Sequence, residues 1–149
     1  MVTKHTLRLS KKFSLEMAHA IVGYHGKCSR IHGHSYQLNI TVKGNIAQTN
    51  KTGMMIDFKE LKELIHRHII EPFDHTLLLE NRLEVRRWVE QMEDFTHNIV
   101  FLDFPPTAEN ILLLFVKKIE RVLPPHITLY AVRLHETADS YVEWYRDDQ

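Results

Sequence analysis

His32 and His34 stand one residue apart at the head of a strongly alternating stretch. On an extended chain, side chains at i and i+2 point to the same side, so both imidazoles can reach one ion. His19 shares the parity of Leu7, Leu9, Phe13, Leu15 and Met17, and it supplies a third nitrogen if the two stretches pair as neighbours. Three protein ligands with an open fourth position is the pattern of a catalytic zinc, whereas structural sites close with four ligands, often cysteines. The competing reading is three unrelated histidines, because the chain has 11 in all.

Cys28 lies four positions before His32, between Lys27 and the nearby Arg30. Cations and a metal favour a thiolate, which would serve as base or nucleophile. The same residue could be a small buried hydrophobe or a fourth zinc ligand that closes the site. In Asp74-His75 a carboxylate adjoins an imidazole that it can orient and make more basic. Neighbouring side chains often point apart, and then Asp74 caps a helix and His75 sits at the surface. Glu136 ends an alternating run beside a turn. Buried in a pocket, it suits a two-point hydrogen bond to a guanidine-like or aminopyrimidine edge. His66 and His68, two apart on a helical stretch, do not face one another.

The elements that must hold these groups follow from periodicity. Alternation predicts a long or bent first strand, interrupted at Lys11, and a second from His34 through Val42 that ends near Gly44-Asn45. A loop joins them, with Gly23, Tyr24 and Gly26. Asp57 caps a helix with Glu60 three residues on, and Phe58, Leu61, Leu64, Ile65 and Ile69 form its apolar stripe up to Pro72. Thr107 caps a second helix carrying Ile111, Leu112, Phe115, Ile119 and Val122, which Pro124-Pro125 stops. Strands over 127–136 and 140–146 follow, joined by the turn Thr137-Ala138-Asp139. Strands bracketing helices predict an α+β domain spanning residues 1–149, an antiparallel sheet with both helices on one face. Residues 80–103 read as an insertion between the helices, with a short helix through Leu83, Val85, Trp88, Val89 and Met92.

The chain of 149 residues has 44% hydrophobic content, enough for one core. Its 19 basic and 19 acidic residues cancel, so no global field points to nucleic acid or an anionic membrane. One cysteine excludes an intramolecular disulfide and suits a reducing compartment. No signal-peptide pattern or apolar run of about 20 residues is present, so a cytoplasmic, soluble protein is expected.

The run Cys28-Ser29-Arg30-Ile31-His32-Gly33-His34-Ser35-Tyr36 closely resembles the signature of the 6-pyruvoyltetrahydropterin synthase / 6-carboxytetrahydropterin synthase family. Further marks occur in family order: Phe13 through His19, Gly53 to Phe58, Phe73 to Leu78, Pro106-Thr107-Ala108-Glu109-Asn110 and His135-Glu136-Thr137. The resemblance implies the T-fold and a zinc-dependent lyase of reduced-pterin metabolism, with zinc on His19, His32 and His34. It implies Cys28 as the proton-abstracting group, Asp74 and His75 as assistants in proton transfer, Glu136 as anchor of the pterin ring and Thr107 near the pterin pocket. Family members are usually homohexamers with sites between subunits. Three residues separate Cys28 from His32, which resembles the bacterial 6-carboxytetrahydropterin synthases of queuosine biosynthesis. These convert 7,8-dihydroneopterin triphosphate to 6-carboxytetrahydropterin, acetaldehyde and triphosphate. Lys27 and Arg30 are candidates for holding the triphosphate. The alternatives are the biopterin-forming 6-pyruvoyl branch, a non-catalytic zinc- or pterin-binding module, and a structural zinc domain.

Overall fold

The computed structural model describes residues 5–46, 52–92 and 98–149. Two long strands, β1 (Thr6–His19) and β2 (His32–Asn45), pair antiparallel without a break, from Thr6 opposite Asn45 to His19 opposite His32. Their alternation is what the sequence predicts: Phe13, Leu15 and Met17 of β1 and Tyr36, Leu38, Ile40 and Val42 of β2 are buried on one face. Lys11 does not interrupt β1. It keeps the core-side parity because its long stem can lie along apolar surface, and its ammonium sits 5.8 Å from the Phe58 ring centre.

Four more strands complete the sheet: β3 (Thr76–Glu80), β4 (Ile99–Leu102), β5 (Thr128–His135) and β6 (Tyr141–Tyr145). The order across the sheet is β4-β3-β1-β2-β5-β6. The expected antiparallel arrangement holds for β1, β2, β5 and β6, whereas β3 runs parallel to β1 and β4 parallel to β3, so the sheet is mixed. The segment read as an insertion therefore supplies β4 and a helix to one side of the sheet.

Helix α1 (Phe58–Ile65) starts at Asp57, whose carboxylate accepts the Lys59 amide proton at 2.7 Å. It continues through a π-helical turn, His66–Ile70, and a last turn, Glu71–Phe73. Pro72 does not end the helix, as its position in the sequence suggests, but sits inside that last turn. Its missing N–H and its ring conflict with ordinary α-helical bonding, and the wider π register lies immediately before it. Helix α2 (Leu83–Glu90) falls where the short helix is expected, and α3 (Ala108–Val122) is capped by Thr107, whose hydroxyl accepts from the Asn110 amide.

Helices α1 and α3 cover the apolar face of the sheet. Leu61, Ile65, Ile111, Phe115 and Ile119 are completely buried in one cluster with Leu15, Leu38, Ile40 and Val132. The opposite face is polar. It is lined by Ser10, Lys12, Ser14 and Glu16 from β1 and by Ser35, Gln37, Asn39 and Thr41 from β2. Ser10 bonds Thr41 across the strands, and Ser35 donates to the Glu16 carboxylate, each at 2.8 Å.

Candidate active site and metal centre

The core face ends in three histidines. His19 closes β1, His32 opens β2 directly opposite, and His34 follows on the same face. Among the described residues these three form a group whose ligand atoms all lie within 4.8 Å of one another. Cys28 and Glu136 stand outside that group.

Backbone carbonyls set the direction of two rings. His19 Nδ1 lies 2.7 Å from the Pro106 carbonyl oxygen, and His32 Nδ1 lies 2.7 Å from that of Arg30. A carbonyl only accepts, so each Nδ1 must carry the proton. Each Nε2 then presents a bare lone pair, and the two Nε2 atoms are 3.1 Å apart. Such a pair repels unless a cation lies between. A proton could bridge only by charging a ring, and burial holds the His19 imidazole below its ordinary pKa, against the opposing pull of the Pro106 bond. The third nitrogen, His34 Nε2, is buried without a hydrogen-bond partner. Tetrahedral zinc with Zn–N of about 2.05 Å puts its ligands about 3.3 Å apart, close to the observed separation. An imidazole whose far nitrogen donates to a carbonyl is the usual outer arrangement of a zinc ligand. The residues therefore fit zinc.

Two groups border the trio. Glu136 Oε1 is 3.6 Å from His34 Nε2, beyond a hydrogen bond. Tyr36 was not among the residues singled out from the sequence, where it reads as one more core position. It packs edge-on against His19 and His34, with ring centres 6.2 and 5.5 Å away. Burial first, and then the Glu136 charge, pushes its phenol far above the ordinary value, so it stays neutral.

Asp74 and His75 form the pair expected of them, and both readings of it are partly met. Asp74 Oδ2 lies 2.9 Å from His75 Nδ1, while its Oδ1 accepts the Glu16 amide proton at 2.8 Å. His75 is nonetheless largely exposed. Its amide donates to the Glu16 carbonyl at 2.6 Å, and its φ of 60° is left-handed. Asn tolerates that region and β-branched residues do not. His75→Val should therefore be less stable than His75→Asn by about 1–2 kcal/mol. Both remove the imidazole, and urea unfolding separates them; equal midpoints would refute the backbone argument.

Burial pushes the Asp74 carboxyl up, but the Glu16 and His75 hydrogen bonds together pull it further down, leaving it below the usual carboxylate range. Asp74 accordingly stabilises the fold at neutral pH. That contribution fades as pH falls from the ordinary carboxylate value through the lowered one. Asp74→Asn should flatten the acid limb of a melting-temperature profile, and an unchanged limb would refute the assignment.

Cys28 sits in a single 3-10 turn, Lys27–Ser29, and is partly exposed, so it is neither a buried hydrophobe nor a member of the histidine group. Thr107 caps α3, and the carbonyl just before it, on Pro106, holds His19. Two cavities share Gly33, His34 and Ser35. One, of about 630 Å³, reaches His75, Glu16 and Asn98; the other, of about 570 Å³, reaches Glu136, Thr137 and His135. Cys28 lines neither.

Residues 8–147 match the family model described as 6-pyruvoyl tetrahydropterin synthase. A relative from Haemophilus influenzae named 6-carboxy-5,6,7,8-tetrahydropterin synthase is 30% identical, over 92% of this chain and 97% of its own. The 6-pyruvoyl tetrahydrobiopterin synthase of Drosophila melanogaster is 31% identical, over 94% of this chain and 70% of its own. The structure resembles that of Caenorhabditis elegans 6-pyruvoyl tetrahydropterin synthase with a TM-score of 0.70 at 20% identity, covering 97% of this chain and 99% of the other.

Proposed function

The chain belongs to the 6-pyruvoyl tetrahydropterin synthase family, and from that premise we propose that it is a 6-carboxy-5,6,7,8-tetrahydropterin synthase. It converts 7,8-dihydroneopterin triphosphate to 6-carboxytetrahydropterin with release of acetaldehyde and triphosphate, in the cytoplasm, on the route to queuosine. The observation that carries this reading is the pair of carbonyl-held imidazoles whose Nε2 atoms face each other at 3.1 Å, beside the unpartnered Nε2 of His34. Relatives bearing the 6-carboxy name, matched over nearly their whole length, support the branch.

His19, His32 and His34 hold the zinc, which when bound supplies a Lewis acid for the oxygens of the substrate side chain. Cys28, as thiolate, takes a proton from the carbon chain next to the pterin ring. His75, oriented by Asp74, returns or accepts a proton at its Nε2, because its Nδ1 is engaged by the carboxylate. Glu136 accepts two N–H bonds from the aminopyrimidine edge, a geometry only a carboxylate gives. Thr107 sits at the rim of the same site. Lys27 and Arg30 face the triphosphate. As the family resemblance implies, a second copy of the chain completes each site, within a homohexamer; the absence of Cys28 from the cavity that His75 lines is consistent with this.

The test is incubation of zinc-loaded protein with 7,8-dihydroneopterin triphosphate. Acetaldehyde and a 6-carboxy pterin are expected. The similarity to the Drosophila protein favours a second reading, the 6-pyruvoyl branch, and a pyruvoyl product with no acetaldehyde would replace the first reading with it. Unconsumed substrate in the presence of bound zinc would overturn both.

A further inference from the structure

His19 is turned by the Pro106 carbonyl, so whatever aims that carbonyl aims the imidazole. The carbonyl belongs to a segment short of donors. Pro105 and Pro106 carry no N–H, so their backbone is tied down through its carbonyls. The Thr107 amide donates to the Pro105 carbonyl at 2.9 Å, closing a γ-turn centred on Pro106. The proline ring presets φ at the centre of that turn. The peptide unit joining Pro106 to Thr107 is planar and trans. Its N–H and its C=O therefore point in opposite directions. One end faces Pro105, and the other faces His19.

The Pro105 oxygen is the fixed point of this arrangement, and a second donor holds it. Asn110 Nδ2 lies 2.9 Å from it. The acceptor is a carbonyl, so the side-chain amide must present its nitrogen there. Asn110 is the third residue of α3, the position from which Glu or Gln ordinarily turns back to the amide of the capping residue. Here that amide, on Thr107, is already given to Pro105. The Asn110 side chain reaches past it, to the residue five positions back. Asn110 is partly buried and Pro106 is buried, and the His19–Pro106 bond in which these contacts end is itself buried.

We propose that Asn110 is a positioning residue for the metal centre. By holding the Pro105 carbonyl it fixes the γ-turn that aims Pro106 at His19, and so it presents His19 Nε2 to the ion. This rests on the reading of His19 as a zinc ligand, but one arm of the test does not depend on zinc.

Asn110→Asp separates this role from an ordinary one in the helix. An acid in the first turn of a helix is favourable, so a residue that merely starts α3 would tolerate Asp. A carboxylate cannot donate, however, and it sets a second acceptor against the Pro105 oxygen. Zinc affinity, read by competition with a chromophoric chelator, should fall about 10–100-fold in Asn110→Asp and in Asn110→Ala, the range for losing an outer partner of a ligand. Zinc-free Asn110→Asp should nonetheless melt no lower than zinc-free Asn110→Ala. In zinc-free protein the proton on His19 Nδ1, assigned by its loss in His19→Ala, should give a sheltered NMR signal in the parent and exchange with water at least about tenfold faster in both variants. If one variant folds poorly, the other carries the test. Parent-like zinc affinity in a folded variant would overturn the proposal, and so would weakened affinity with an unchanged His19 signal. If the parent itself binds no zinc, the metal reading fails separately, and the His19 signal alone decides the role of Asn110.

Discussion

Cys28→Ala is expected to lower kcat by about 10²–10⁴-fold, the range that a positioned acid–base group contributes, and to leave zinc bound. The reasoning is geometric. The thiol lies outside the group of three imidazoles, so its removal takes no ligand from the metal. It is partly exposed in a 3-10 turn, so its removal leaves no core cavity. Zinc stoichiometry, melting temperature and KM should therefore match the parent while turnover collapses. Loss of zinc together with turnover would instead make Cys28 a ligand and restore the closed structural site. Full turnover in the variant would remove it from the chemistry altogether.

His19→Ala should have the wider effect, abolishing zinc binding and turnover and also weakening the fold. The imidazole is 2% exposed and is the donor to the Pro106 carbonyl. Its removal leaves that buried acceptor without a partner, at a cost of about 1–3 kcal/mol. The other two ligands are left to hold the ion, and affinity should fall by more than the roughly 10–100-fold typical of losing an outer partner. His32→Ala is the matched comparison. It should lose zinc as fully but destabilise less, since the Arg30 carbonyl that it serves is at the surface. Denaturant titration with and without chelator reads both effects. If chelator lowers the stability of His19→Ala as much as it lowers that of the parent, the residue is not a ligand.

Where the chain alternates it was readable. The parity of Phe13 to His19 and of His34 to Val42 gives both long strands, and their pairing brings His19 opposite His32. The helix caps Asp57 and Thr107 were equally plain. Strands β3 and β4 were not. Thr76–Glu80 and Ile99–Leu102 are short apolar runs without alternation, and periodicity cannot assign such runs. They run parallel, and parallel strands buried on both faces lose the two-residue pattern. The π turn escaped because each of its hydrogen bonds reaches one residue further than in an α-helix, a change that the spacing of apolar side chains does not report. At the site, the three histidines that cluster were visible and the groups that orient them were not. Two of those groups are the carbonyls of Pro106 and Arg30, and every residue has a carbonyl.

The hydrogen bond between His19 and Pro106 spans 87 residues of sequence. A ligand whose orientation depends on so distant a partner cannot be assembled early in folding. Contacts of long sequence separation form only after the entropy of closing the intervening chain has been met. His19 and His32 can come together in the β1–β2 hairpin, but that hairpin alone leaves His19 free to turn either nitrogen inward. The docking of α3 selects the tautomer. During refolding, high-affinity zinc uptake should therefore lag behind formation of the β1–β2 pair and coincide with burial of the α3 face. A metal taken up there would report the last step of assembly and would not be its template.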